Sequence, residues 1–163
     1  MKTGESPKEY GKLFDTISIC FSKGLGAPVG SVLLGTSEQI KEAKRVRKVF
    51  GGGMRQAGYL AAACIYALDH HVDRLVEDHA HAQKIGEILQ TLPFIEEVMP
   101  VDTNIVIGKL VEDKSEKWLL DEMENQGILA VGFGKGLVRF VTHLDFTSED
   151  LDKFEMTISK ISS

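Results

Sequence analysis

Cysteine, proline and tryptophan are all scarce in this chain: two, four and one residue respectively. The two cysteines, Cys20 and Cys64, are far apart and sit in apolar stretches. That excludes a disulfide-stapled scaffold and fits two buried free thiols in a reducing cytoplasm. No Cys/His grouping has metal-ligand spacing, so no metal site is expected. No apolar run approaches the ~20 residues that a helical membrane span needs, so no membrane partner is expected. The first sixteen residues are polar, which leaves no secretory leader pattern and again points to the cytoplasm. Positive charge is also short, 19 Lys and Arg against 24 Asp and Glu, for a formal net charge of −5. The densest basic stretch, Lys41 to Lys48, reads as a solvated helix face or an anion contact, not a nucleic-acid surface. Repeats and low-complexity segments are absent.

What is present is a soluble α/β to α+β pattern of 163 residues. Residues 1–14 carry no clear period. Ile17 to Phe21 and Val29 to Leu34 predict two strands around a glycine turn. Thr36 to Gln39 is a capping box for a helix running to about Lys48, broken by Gly51-Gly52-Gly53. Met54 to about Gln90 is helical in pattern, but one helix of that length would span about 55 Å, too long for the domain. A break is therefore expected near His70-His71-Val72, which also marks a domain boundary. Phe94 to Met99 and Thr103 to Gly108 predict strands, and Ser115 caps a helix stopping at Gly127. Ile128 to Val131 and Leu137 to Thr142 predict a hairpin turning through residues 132–136. A second capping box, Thr147 to Asp150, opens a helix with Leu151, Phe154, Ile158 and Ile161 on one face. The C-terminal ~90 residues thus read as a small α+β unit, helices on one side of a mostly antiparallel sheet.

Three places could carry chemistry. Lys23 stands between the apolar segment Ile17–Phe21 and the run Gly24-Leu25-Gly26-Ala27-Pro28-Val29-Gly30. It is either a surface lysine or an amine held against apolar neighbours as a nucleophile. The lysine precedes the glycines, so the run is not a Walker A loop. Arg55, just after the triple glycine, is either part of an anion site at a helix start or a surface residue on a flexible connector. Lys48 either adds charge to that site or is a solvated helix lysine. Arg139 lies inside the apolar strand Leu137–Val141 and needs a partner, either an internal carboxylate or a ligand carboxylate. Alternation places Arg139, Val141 and His143 on one face. His70, His71, His79, His81 and His143 read as structural, His79 facing with the apolar set.

Long motifs go beyond local chemistry. Phe21 to Ser31, Arg47 to Gly58 and Arg139 to His143 resemble the low-specificity L-threonine aldolases, as do Arg74 to Ala80 and Asp102 to Val106. These are pyridoxal-phosphate enzymes of the aspartate-aminotransferase-like fold, and the resemblance runs from about Thr3 onward. It implies that residues 1–70 are the end of a large cofactor-binding domain and 71–163 a small α+β C-terminal domain. It implies that Lys23 is the catalytic lysine that attaches pyridoxal 5′-phosphate. It implies Arg139 as the arginine gripping the α-carboxylate of an amino-acid substrate. Arg55 would be offered to the cofactor site across a subunit interface, and Lys48 would be a further basic residue near it. The implied reaction is retro-aldol cleavage of L-threonine or L-allo-threonine to glycine and acetaldehyde, in a homo-oligomer (dimer or tetramer).

Members of that family are about twice this long. The resemblance therefore implies a C-terminal half that begins mid-domain. The cofactor's stacking histidine, its pyridinium-pairing aspartate and its phosphate loop belong to the other half. Little aldolase activity is expected of the 163 residues alone, and the strand Ile17–Phe21 is expected to present an open edge. The alternatives are a non-catalytic, self-associating remnant, or the same fold with another reaction such as serine hydroxymethyl transfer.

Overall fold

The computed structural model describes residues 2–161, and the chain divides into two compact units, Met1–Leu75 and Val76–Ser163. The first unit opens with α1 (Pro7–Leu13), started by the Ser6 side chain accepting from the Lys8 N–H and by proline in the first turn. No period announces this helix because it buries none of its residues. Strands β1 (Ile17–Cys20) and β2 (Ser31–Leu34) pair antiparallel, from Ile17 opposite Leu34 to Cys20 opposite Ser31. Both are shorter than their apolar stretches, since Phe21 and Val29 turn into the connecting loop. They form a two-stranded sheet, and every residue of β2 is exposed.

Helix α2 (Ser37–Val49) begins at the expected capping box: Thr36 accepts from the Gln39 N–H, and Gln39 accepts from the Thr36 N–H at 2.8 Å. It ends in a Schellman closure. Gly52 N–H donates to Arg47 O at 2.8 Å and Gly51 N–H to Lys48 O at 3.1 Å, with Gly51 at φ +81°. Helix α3 (Gly58–His70) starts four residues later than Met54, because residues 55–57 form a turn in which Gln56 takes φ +51°. The expected break falls after His70, and α4 (Leu75–Gln90) follows. The buried core of the first unit is small: Phe21, Ala27 and Ala67, with Leu25 and Cys64 against them. Both cysteines are free thiols, but Cys20 is exposed on β1 and Cys64 only half-buried on α3. That corrects the expectation of two buried thiols.

The second unit holds strands β3 (Ile95–Val98), β4 (Ile105–Leu110), β5 (Val131–Gly134) and β6 (Leu137–Val141), and helices α5 (Glu116–Asn125) and α6 (Ser148–Ile161) beside α4. The sheet order is β3-β4-β6-β5, all antiparallel. The strand expected over Ile128–Val131 begins only at Val131 and runs through Gly134. Lys135 and Gly136, at φ +56° and +76°, make the tight turn. Val106, Leu110, Val138 and Phe140 alternate onto one face, where Ala82, Ile85 and Leu89 of α4, Leu119 and Met123 of α5, and Phe154 and Ile158 of α6 cover them. The α+β reading of this segment, with its helices on one side, matches the structure. The opposite face carries Ile107 and, across from it, Arg139.

Candidate functional site

In the first unit, the loop from β1 to β2 is braced from within. Phe21 N–H donates to Gly30 O at 3.0 Å, Ala27 N–H returns to Phe21 O at 3.0 Å, and Gly26 N–H closes on Lys23 O at 2.9 Å. The burial of Phe21 and Ala27 anchors both ends of that turn. Lys23 lies at its outer side and is exposed, three residues beyond the end of β1. Of the two alternatives for Lys23, its exposure here matches the surface-lysine one. The turn directs the side chain outward, and β1 itself offers no buried wall. What the fold supplies instead is a fixed backbone under an accessible primary amine. His71 adds an outside brace, its Nδ1 lying 2.6 Å from the carbonyl oxygen of Leu25.

The glycine run is explained locally by the end of α2. Gly51 and Gly52 close its last turn, so they form a C-terminal cap and not the start of a helix. Lys48, exposed in that last turn, faces the negative end of the helix dipole, a favourable place for a cation. Arg55 is exposed in the turn before α3, not in its first helical turn. Both cations remain available to a ligand.

Arg139 is the most informative side chain of the second unit. It is half-buried on β6, paired in register with Ile107 on one side and Val131 on the other. Its Nε is buried with no hydrogen-bond partner, and its guanidinium carbon lies 5.2 Å from the centre of the Phe133 ring. Among the described residues no ion pair neutralises it. Of the two partners open to it, the internal carboxylate is absent. A buried, unpartnered donor of a guanidinium is costly unless something accepts from it, and a carboxylate is the geometric match. His143 lies beyond the strand end, exposed, with Nδ1 accepting the Asp145 N–H at 3.2 Å, a structural role as expected.

Sequence reasoning missed two residues around these features. Glu116, in the first turn of α5, accepts Gly134 N–H at 3.0 Å and Gly136 N–H at 2.8 Å, gripping the β5–β6 hairpin. A glycine-rich hairpin following a first-turn acid was the only available signal. Asp78 is fully buried in α4, and buried Thr142 donates to its backbone oxygen at 2.6 Å. His71, expected as structural, holds the Leu25 carbonyl of the Lys23 loop, a partner that its neighbours in sequence do not indicate.

The family model described as "Beta-eliminating lyase" matches residues 1–113. The low specificity L-threonine aldolase of Escherichia coli strain K12 is 44% identical over 144 residues, covering 88% of this chain and 42% of that protein. The Saccharomyces cerevisiae low specificity L-threonine aldolase is 34% identical over 161 residues, covering 98% of this chain and 40% of that one. Among solved structures, a putative L-allo-threonine aldolase from Listeria monocytogenes EGD-E superposes with a TM-score of 0.73 at 18% identity, over 98% of this chain and 48% of that one. The chain spans about two-fifths of the length of the curated relatives it matches. Its fold is thus shared with those structures, and the chain belongs to the beta-eliminating lyase family.

Proposed function

We propose that these residues form the lysine- and arginine-bearing C-terminal half of a pyridoxal-phosphate-dependent threonine aldolase. The proposed reaction cleaves L-threonine or L-allo-threonine to glycine and acetaldehyde. The observation that carries this reading is the 43% identity to a low specificity L-threonine aldolase of Escherichia coli O157:H7 over 91% of the chain. The donor chemistry fits pyridoxal phosphate and an amino acid. Lys23 offers an exposed primary amine for the cofactor's aldehyde, Lys48 and Arg55 offer exposed cations for its phosphate side, and Arg139 keeps a buried donor free. When bound, the cofactor supplies an electron sink for the carbon–carbon cleavage.

The chain's own residues then have defined tasks. Lys23 is the covalent attachment point, fixed by its braced turn. Arg139 binds the α-carboxylate and so orients the amino acid, which is how a positioned guanidinium lowers a barrier. Residues 1–70 are the end of the cofactor-binding domain and 71–163 the small C-terminal domain. The enzyme works as a cytoplasmic homo-oligomer. Exposed Phe50, Met54 and Tyr59 around Arg55 support a subunit contact that presents Arg55 to a neighbouring site. The 163 residues alone have little activity, because the groups that pair with the cofactor ring belong to the other half.

A chimera tests the function directly. The matched segment of the Escherichia coli strain K12 protein is replaced by this chain, and acetaldehyde release from L-threonine is measured with added cofactor. Release that disappears with Lys23→Ala, together with the visible absorbance band of bound cofactor, is the expected result. A folded, cofactor-loaded chimera that leaves threonine intact sinks the reading.

A further inference from the structure

We infer that Glu116 is a positioning residue for carboxylate recognition, acting through the β5–β6 hairpin on Arg139. The inference rests on the reading of Arg139 as the substrate-carboxylate residue. Glu116 accepts two backbone N–H groups of one turn, Gly134 at 3.0 Å and Gly136 at 2.8 Å, each on a separate carboxylate oxygen. Only a carboxylate presents two equivalent acceptors in that fork; an amide offers one acceptor and a donor that opposes the second N–H. The grip lies next to an irregularity in the ladder. Gly132 faces Val138 and Gly134 faces Leu137, so Phe133 is the extra residue of a bulge. That bulge stands the Phe133 ring 5.2 Å from the Arg139 guanidinium carbon.

The position of Gly132 shows how closely the parts fit. A Cβ there would fall 2.6 Å from Glu116 Oε2, so any larger residue at 132 requires the carboxylate to shift off its present position. The arrangement also divides the charges. Glu116 gives both oxygens to backbone donors and makes no ion pair with Arg139, whose Nε stays buried and unpartnered. A carboxylate turned toward Arg139 would compete with the substrate. One held by the hairpin keeps the arginine in place and leaves it free.

The test uses the full chain, labelled with ¹⁵N, and glycine as the α-amino carboxylate probe. Binding is read at the Arg139 Nε–H resonance and at the amide of Ile107, its cross-strand neighbour. Glu116→Gln removes one acceptor; Gly132→Ala displaces the carboxylate from the other side with Glu116 intact. In both variants the Gly134 and Gly136 amides should exchange faster while Val138 stays protected. The apparent dissociation constant for glycine should rise roughly tenfold, the scale of a lost charge-assisted hydrogen bond or a misplaced binding group. Faster exchange with unchanged glycine affinity overturns the positioning role, and unchanged exchange overturns the grip itself. An Ile107 response that survives in Arg139→Met, or no response at all, instead defeats the reading of Arg139 and takes this inference with it.

Discussion

His71 Nδ1 lies 2.6 Å from the carbonyl oxygen of Leu25, a contact spanning 46 residues of sequence. A carbonyl only accepts, so the imidazole proton resides on Nδ1 and donates. The contact ties the end of α3 to the turn that carries Lys23. His71→Ala should cost about 1 kcal/mol of stability, the usual net worth of such a bond. Amide exchange at Gly26 and Ala27, whose N–H groups close the Lys23 turn, should accelerate. Unchanged exchange there would show that the inner hydrogen bonds suffice.

Thr142 is the buried hydroxyl of the second unit, 1% exposed and bonded to the Asp78 carbonyl oxygen at 2.6 Å. Thr142→Val keeps the shape and removes the donor. A loss of about 1–2 kcal/mol in urea unfolding is expected. A loss near zero would mean that the α4 hydrogen bond already satisfies that carbonyl.

Asp150 closes the capping box of α6, accepting from the N–H and hydroxyl of Thr147 at 3.1 and 2.7 Å. The Thr147 hydroxyl first, then its backbone N–H and Lys153, hold the Asp150 carboxyl below the ordinary aspartate value. A carboxyl depressed in the folded state stabilises above its unfolded value and loses that contribution as pH falls through the folded one. The start of α6 should therefore loosen on acidification below the ordinary aspartate range. Asp150→Asn should remove that pH dependence, as read from the amide signals of Glu149 to Leu151.

Gly51 takes φ +81° where α2 closes. Gly51→Ala should cost about 1 kcal/mol, since the left-handed region penalises a Cβ. Thermal unfolding measures the loss, and a neutral result would mean that the Gly52 to Arg47 bond alone ends the helix.

Local patterns carry much of this architecture. The Thr36–Gln39 and Thr147–Asp150 boxes, the break after His70 and the alternation that separates Arg139 from Val138 and Phe140 are all readable from neighbours a few residues apart. α1 is not, because a seven-residue helix with no buried side chain has no period to detect. Nor are the grips of Glu116 and His71. Each joins a side chain to the backbone of a distant turn, and a backbone N–H or C=O looks the same at every position of a sequence. The exposure of β1 and β2 escapes for a related reason: an apolar strand reads as buried, whereas these two form a sheet of only two strands. The candidate site is thus legible as residues and motifs, but the supports beneath them are not.

The two units differ in how much interior they own. Among the described residues, fifteen buried side chains form one cluster in the second, against three in the first. A protease reads that contrast directly, since cleavage needs local opening and opening is easiest where little is buried. Brief digestion should nick the first unit around residues 51–57, where every residue is exposed. A resistant core running from α4 to α6 should survive it.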